Sequence, residues 1–285
     1  MSWEKLLKEN KPLVITGTIN AYSALLAERA GIKAIYLSGG GVANASYGLP
    51  DLAMTSREDV LEDVRRIRSA SELPLLVDID TGWGSALAIS RSIKEMISAG
   101  ASGIHIEDQV SEKRCGHRPN KEIVSCEEMV DRIKAAKDAQ TDDNFLLMAR
   151  TDAFAKGGLQ EVIDRSNAFI EAGAGAIFPE AISTLKDYEE ISKNVSKPIL
   201  ANITEFGMTP LFSHNELAKA GVKIVLHPLS AFRAMSKAAE KVYATLASGG
   251  DHEGLLEKMQ TRDELYDVLD YHMYEEKIDK LFEKN

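Results

Sequence analysis

Thiols are scarce in this chain. Cys115 and Cys126 are its only two cysteines in 285 residues, too few for a disulfide framework. The expectation is a reduced, cytoplasmic protein. Long apolar runs are missing as well: charged residues break each one well short of the ~20 residues a membrane-spanning helix needs. The N-terminal MSWEKLLKENKP lacks the apolar stretch and small-residue cleavage site of a signal peptide. There is no basic excess, with 34 Lys and Arg against 44 Asp and Glu for a net charge of −10. That balance excludes a broad surface for nucleic acid or anionic lipid, and a small anionic ligand would need a local cluster of positive charge. No Pro-, Gly- or Ser-rich linker divides the chain, and 44% hydrophobic residues suffice for a sizeable core. One domain over 1–285 is expected. No G-x-G-x-x-G follows the first apolar run, which disfavours a dinucleotide-binding sheet.

What the chain does have is a repeat. Four times an amphipathic stretch ends in Ala-Gly and a short apolar run follows: ERAGIKAIYL (28–37), ISAGASGIHI (97–106), IEAGAGAIFP (170–179) and AKAGVKIVLH (218–227). The glycine sits where a helix needs a left-handed C-terminal residue, and the apolar run reads as a buried strand. With the remaining apolar runs, the strand candidates are 13–17, 34–38, 75–79, 103–107, 145–150, 175–179, 199–203 and 223–227. Helical patterns such as 85–99 and 127–139 lie between them. Eight such alternations predict an α/β fold, a (β/α)8 TIM-type barrel.

In such a barrel the chemistry sits at the C-terminal ends of the strands. Those ends carry Tyr36 and Ser38, Asp78 and Asp80, Glu107 and Asp108, Arg150 and Asp152, Glu180, Asn202 and Thr204, and His227. Asp78 and Asp80, two apart, share one face of an extended strand. With Glu107 and Asp51 they form an oxygen-rich, thiolate-free set that suits Mg2+ or Mn2+. Gly39, Gly40 and Gly41 offer flexible backbone amides beside Ser38, able to grip a carboxylate or phosphate, although a tight turn explains them about as well. His105 and His227 are expected in packing or supporting roles.

Two connections are long for this fold, 38–55 and 108–125. The second contains KRCGHRPNK (113–121). Half a zinc site is disfavoured there, because Cys115 and His117 have no second ligand pair. A redox role wants a nearby resolving thiol, and Cys126 is eleven residues away. An inert buried thiol does not suit a polar stretch. Lys113, Arg114 and His117 instead form an electropositive setting, expected to lower the thiol pKa toward neutrality and poise Cys115 for proton transfer. Gly116 would give this lid the freedom to fold over a ligand.

The KRCGH loop, the DIDTGWG strand end, YLSGGGVANASYGLPDLAMTS, MARTDA, ILANITEFG and HPLSAFRAM resemble the isocitrate lyase and phosphoenolpyruvate mutase superfamily. The likeness runs over nearly the whole chain. The K-K/R-C-G-H pattern sets the lyases apart from superfamily members without the cysteine. The longer KRCGHRPNK, the short chain and the MQTR stretch at 259–262 resemble the branch that cleaves 2-methylisocitrate. The resemblance implies a Mg2+-dependent C–C lyase (Mn2+ as a substitute) releasing pyruvate and succinate in the methylcitrate cycle of propionate catabolism. It implies a homotetramer that swaps a C-terminal helix, with 231–248 and 254–282 supplying the helical extension (about 231–285). It carries metal binding to Asp51, Asp78, Asp80 and Glu107. Tyr36, Ser38, Gly39 and Gly40 would meet the pyruvoyl carboxylate, and Arg150, Glu180, Asn202, Thr204, Arg233 and Arg262 would line the rest. Cys115 would donate a proton to the succinyl carbanion, with Lys113 offsetting substrate charge and Arg114, Gly116 and His117 completing the lid. Tyr36, or Glu180 with Arg150, would take the hydroxyl proton. Isocitrate cleavage and α-keto-acid decarboxylation are the neighbouring activities, and a non-catalytic anion-binding barrel is the remote one.

Overall fold

The structure is a computed structural model that describes residues 2–282. Met1 and residues 283–285, included in the expected domain and extension, lie outside the described residues. The chain forms two compact units, one ending at Phe232 and one beginning at Arg233.

The first unit holds eight strands: β1 (Leu13–Gly17), β2 (Ile35–Leu37), β3 (Leu75–Asp78), β4 (Gly103–Glu107), β5 (Leu146–Thr151), β6 (Ala176–Pro179), β7 (Leu200–Asn202) and β8 (Ile224–His227). Seven fall inside their predicted runs, and β5, expected over 145–150, ends one residue later at Thr151. All pair in parallel, in the order β6-β5-β4-β3-β2-β1-β8-β7. A parallel bridge between Ile177 and Ile199 joins the two end strands, so the sheet is a nearly closed (β/α)8 barrel. The unit's helices are α1 (Trp3–Glu9), α2 (Ala21–Arg29), α3 (Gly39–Gly41), α4 (Arg57–Ala70), α5 (Ala86–Ser98), α6 (Cys126–Asp138), α7 (Phe154–Glu171), α8 (Leu185–Asn194) and α9 (His214–Lys219). The repeated glycine does what the pattern requires, since Gly31, Gly100, Gly173 and Gly221 have φ of 87°, 93°, 118° and 88°.

Strand parity decides what the barrel holds. Leu13, Ile15, Ala34, Tyr36, Leu76, Leu146, Met148, Ala176, Phe178, Leu200, Ile224 and Leu226 form one interior cluster, closed at the bottom by Trp3 and Leu6. The Trp3 indole donates to the Ser102 carbonyl at 2.7 Å. Side chains two residues apart face the same way, so the series continues upward. Leu76 leads to Asp78 and Asp80, Met148 to Arg150 and Asp152, Phe178 to Glu180, and Leu200 to Asn202 and Thr204. On β4 the interior positions are Gly103, His105 and Glu107. Residues of the other parity, such as Val77, Ile104, Ile106 and Ala149, pack beneath the helices in a second cluster.

In the connection 38–55 the glycines take the tight-turn alternative. Gly39–Gly41 form the helical turn α3, and Val42–Ser46 continue it as a π-helical turn. The glycines serve close approach here. A Cβ on Gly39 would lie 3.1 Å from Asp80 and 3.2 Å from Asp78, and one on Gly40 would lie 3.1 Å from Asp51.

The second unit contains most of α10 (Ser230–Ala247), then α11 (Arg262–Val268) and α12 (Tyr271–Phe282). Neither α10 nor α12 buries a residue. Met235, Tyr243, Leu246, Met273, Tyr274, Ile278, Leu281 and Phe282 are exposed.

Candidate active site

At the top of the barrel the interior series becomes charged. Asp78, Asp80, Glu107, Arg150, Asp152 and Glu180 are each at most 7% exposed. Arg150 is the hub of this floor. Its guanidinium meets Glu107 at 3.3 Å, Asp152 at 2.9 Å and Glu180 at 3.3 Å, and lies 5.2 Å over the Phe178 ring. Charged side chains survive such burial only when paired this densely. Asp108, one residue out of register, faces away from the interior. It binds Thr151, the Asp152 amide and Arg165 of α7, and so supports the scaffold.

Lys113 reaches down from the lid between the carboxylates, 2.5 Å from Asp51 and 2.7 Å from Asp80. Among the described residues no group of three or more His, Cys, Asp or Glu is arranged to hold a metal ion. The lysine ammonium supplies positive charge among these acids. Burial nevertheless pushes Asp80 up to about 6, with Asp78 and Asp51 adding to the shift. Burial also holds Glu107 well above the ordinary carboxylate range. Glu107 Oε1 is buried without a hydrogen-bond partner. Four carboxyls, Asp51, Asp78, Asp80 and Glu107, thus share two nearby cations, Lys113 and Arg150.

Tyr36 and His105 form a pair that sequence reasoning only half found. The Tyr36 hydroxyl is 2.9 Å from His105 Nε2 and 3.4 Å from Asp78, and the two rings stack. Burial lowers His105 to about 4, so the ring is neutral, and burial with Asp78 raises the Tyr36 phenol well above its usual value. His105 shares the interior parity of Glu107, a signal that its place in the strand already carried. Ser38 caps α3 by accepting the Gly41 amide at 3.2 Å, while the Gly39 amide donates to Asp78 at 3.0 Å. Two of the three glycine amides are thus engaged within the protein.

The lid brings Cys115 and His117 to the same floor. His117 Nδ1 accepts the Met208 amide at 3.0 Å, and Nε2 faces Glu180 at 3.4 Å. The Asn202 amide donates to both Glu180 oxygens at 3.3 Å. Thr204 is buried at the end of the same strand series. Gly116 packs so closely that a Cβ would lie 2.4 Å from Arg150 and Glu180. Its lack of a side chain therefore serves contact, where conformational freedom had been expected. Arg114 is exposed and, with Asp51, Lys113 and Cys115, lines a cavity of about 940 Å³ beneath the 50–53 loop.

The thiol corrects one expectation. Cys115 is half-buried, and burial pushes its pKa above the ordinary value, with Asp51 and Glu180 adding to the rise against the His117 amide and Arg150. The neighbouring cations were expected to lower it, but Lys113 is directed onto Asp51 and Asp80, and Arg114 is exposed. Arg233 and Arg262 belong to the second unit, where Arg262 begins α11.

Residues 4–247 match the family described as phosphoenolpyruvate phosphomutase. The chain is 57% identical over 285 residues to a 2-methylisocitrate lyase of Shewanella oneidensis, covering 100% of this chain and 98% of the relative. It is 59% identical over 281 residues to a 2-methylisocitrate lyase of Escherichia coli, covering 98% and 95%. Its fold is similar to a phosphonopyruvate hydrolase solved in complex with oxalate and Mg2+, with a TM-score of 0.85, 29% identity and 98% and 97% coverage.

Proposed function

Because the chain belongs to the phosphoenolpyruvate phosphomutase family, alongside relatives that are 2-methylisocitrate lyases, we propose that it cleaves (2R,3S)-2-methylisocitrate to pyruvate and succinate. The reaction would serve the methylcitrate cycle of propionate catabolism. The observation that carries this reading is Cys115: a half-buried thiol, kept protonated by its burial, within electrostatic reach of Arg150, Glu180 and Asp51. A C–C cleavage that leaves a carbanion needs a proton donor at that point, and a thiol above its ordinary pKa is one.

By donor chemistry, though not by a preformed ligand cluster among the described residues, the set suits a hard divalent cation. Asp51, Asp78, Asp80 and Glu107 offer only oxygens, and Glu107 Oε1 lacks a hydrogen-bond partner. When bound, Mg2+ (or Mn2+) supplies Lewis-acid polarisation of the substrate hydroxyl and its adjacent carboxylate. This support is chemical and agrees with the Mg2+ complex of the similar hydrolase.

The chain's own groups do the rest. The base for the hydroxyl proton is Tyr36 or Glu180 with Arg150: Glu180 is held 3.3 Å from Arg150, whereas the Tyr36 phenol keeps its proton against a neutral His105 2.9 Å away. Ser38 and the Gly40 amide would face the carboxylate of the pyruvoyl half, with the Gly39 amide given to Asp78. Arg150, Lys113 and Arg114 would draw in the tricarboxylate, with a bound cation offsetting the site's own carboxylates, while His117, Asn202 and Thr204 offer hydrogen bonds. Glu180 holds Arg150 and His117 in register. Cys115 then protonates the succinyl carbon. The exposed apolar residues of α10 and α12 support a homotetramer formed through the C-terminal helices, to which Arg233 and Arg262 belong. No described helix is long and apolar enough to cross a membrane, and the proposed location is the cytoplasm.

The test is pyruvate release from 2-methylisocitrate with saturating Mg2+ and after exhaustive chelation. Release that stops on chelation and returns with Mg2+ is expected. Undiminished release without metal would remove the cation from the reading.

A further inference from the structure

The lid's main chain is gripped on both sides of Cys115 by side chains outside the substrate-facing set. Gln109, fully buried just beyond β4, accepts the Arg114 amide at 3.0 Å through Oε1 and donates through Nε2 to the Arg114 carbonyl at 2.9 Å. Lys121, also buried, donates to the Gly116 carbonyl at 2.7 Å. Its ammonium is anchored 2.5 Å from Asp152, the carboxylate that also holds Arg150. Between them the Cys115 carbonyl accepts the Arg118 amide at 2.9 Å. Three successive carbonyls, 114 to 116, are thus bonded inside the protein.

The base of the loop gives both grips a fixed footing. Gln109 pairs with Ile123 as an antiparallel bridge, Val110 donates to Glu122, and Val124 donates to Asp108. Arg132 of α6 binds the carbonyls of Glu107 and Gln109 at 3.2 and 2.9 Å. A buried amide side chain and a buried ammonium are costly to desolvate, and both are directed at main-chain groups of one loop.

We propose that Gln109 and Lys121 are positioning residues, a two-sided backbone clamp that fixes Cys115 over the floor when the lid is down. The clamp rests on the lyase reading for its purpose. Lys121 also couples the lid to the floor, because the carboxylate it binds is a partner of Arg150. Neither residue touches the reacting atoms in this assignment. Each acts through the register of the thiol between them.

The experiment uses the full chain in a Cys126→Ser background, so that one thiol is read. The rate of Cys115 alkylation by iodoacetamide is measured at fixed pH, with kcat and KM for 2-methylisocitrate alongside. Lys121→Met should raise the alkylation rate about tenfold, as loss of one charge-assisted hydrogen bond holding the lid implies. It should lower kcat by about 10–100-fold through misplacement of the donor, with a smaller change in KM. Lys121→Arg should recover part of both. Gln109→Met should shift both readouts in the same direction from the other side of Cys115, and it decides the matter if Lys121→Met does not fold. Alkylation within twofold of the parent in both variants would overturn the clamp, as would a lowered melting temperature with unchanged alkylation. Alkylation needs no substrate. A parent protein that fails to cleave 2-methylisocitrate would therefore count against the lyase reading and leave the clamp to be judged by the thiol.

Discussion

The floor and the lid of this site are held by different means. The floor hangs from strand ends: Arg150 binds Glu107, Asp152 and Glu180, which share the strand parity that also sets the barrel core. The lid hangs from side chains that reach across the sequence, such as Lys113 to Asp51 and His117 to the loop after β7. A floor built into a parallel barrel moves only if the barrel deforms. A lid held by a few hydrogen bonds can open at far smaller cost. The thiol sits on the softer part and the charge network on the stiffer part, so under the proposed mechanism proton donation would be tied to closure.

The largest break in that comparison is Arg150→Met. It takes a cation from three buried carboxylates, of which Asp152 keeps Lys121 and Glu180 keeps the Asn202 amide and His117. A buried pair broken on one side typically costs about 3–5 kcal/mol. The denaturation midpoint should fall accordingly, with activity lost. Unchanged stability would mean that the floor is not held by its ion pairs.

Gly116→Ala acts on the lid side. A Cβ 2.4 Å from Arg150 and Glu180 must lift the loop or push the floor, and overpacking of this kind costs about 1–3 kcal/mol. The lid is the softer partner, so kcat should fall at least tenfold while the melting temperature moves little. A large stability loss with normal kcat would place the rigidity in the lid instead.

The pH response sharpens the distinction further. The Cys115 pKa is raised by burial, so the thiol keeps its proton to higher pH than a free cysteine and loses it only above its ordinary value of 9.0. Donation should therefore persist through neutral pH and decline on the alkaline side, and the thiolate-dependent alkylation rate should climb over the same range. An alkylation midpoint near neutrality would show that the lid's cations govern the thiol after all.

Much of the floor was legible in the sequence because period-two parity and the repeated Ala-Gly are local signals. Asp78, Asp80, Glu107, Arg150, Glu180 and Asn202 could be assigned to one rim from their offsets along short apolar runs. The lid was legible only in outline. KRCGHRPNK announced reactive residues, yet local charge suggested a lowered thiol pKa, because nothing nearby in sequence says that Lys113 is directed onto Asp51, 62 positions away. Lys121 was hidden for the same reason, since its carboxylate partner lies 31 residues on. A tight turn at 39–41 was among the readings the sequence allowed, but the close packing at Gly39, Gly40 and Gly116 was not legible, because composition does not reveal what a Cβ would strike.

The most direct test of the whole account is turnover of 2-methylisocitrate by Cys115→Ser with saturating Mg2+. Serine keeps the size and the lid contacts but is a far weaker proton donor. Loss of about 10²–10⁴-fold in kcat, the usual worth of a positioned general acid, is the predicted result. Pyruvate release near the wild-type rate would contradict the account.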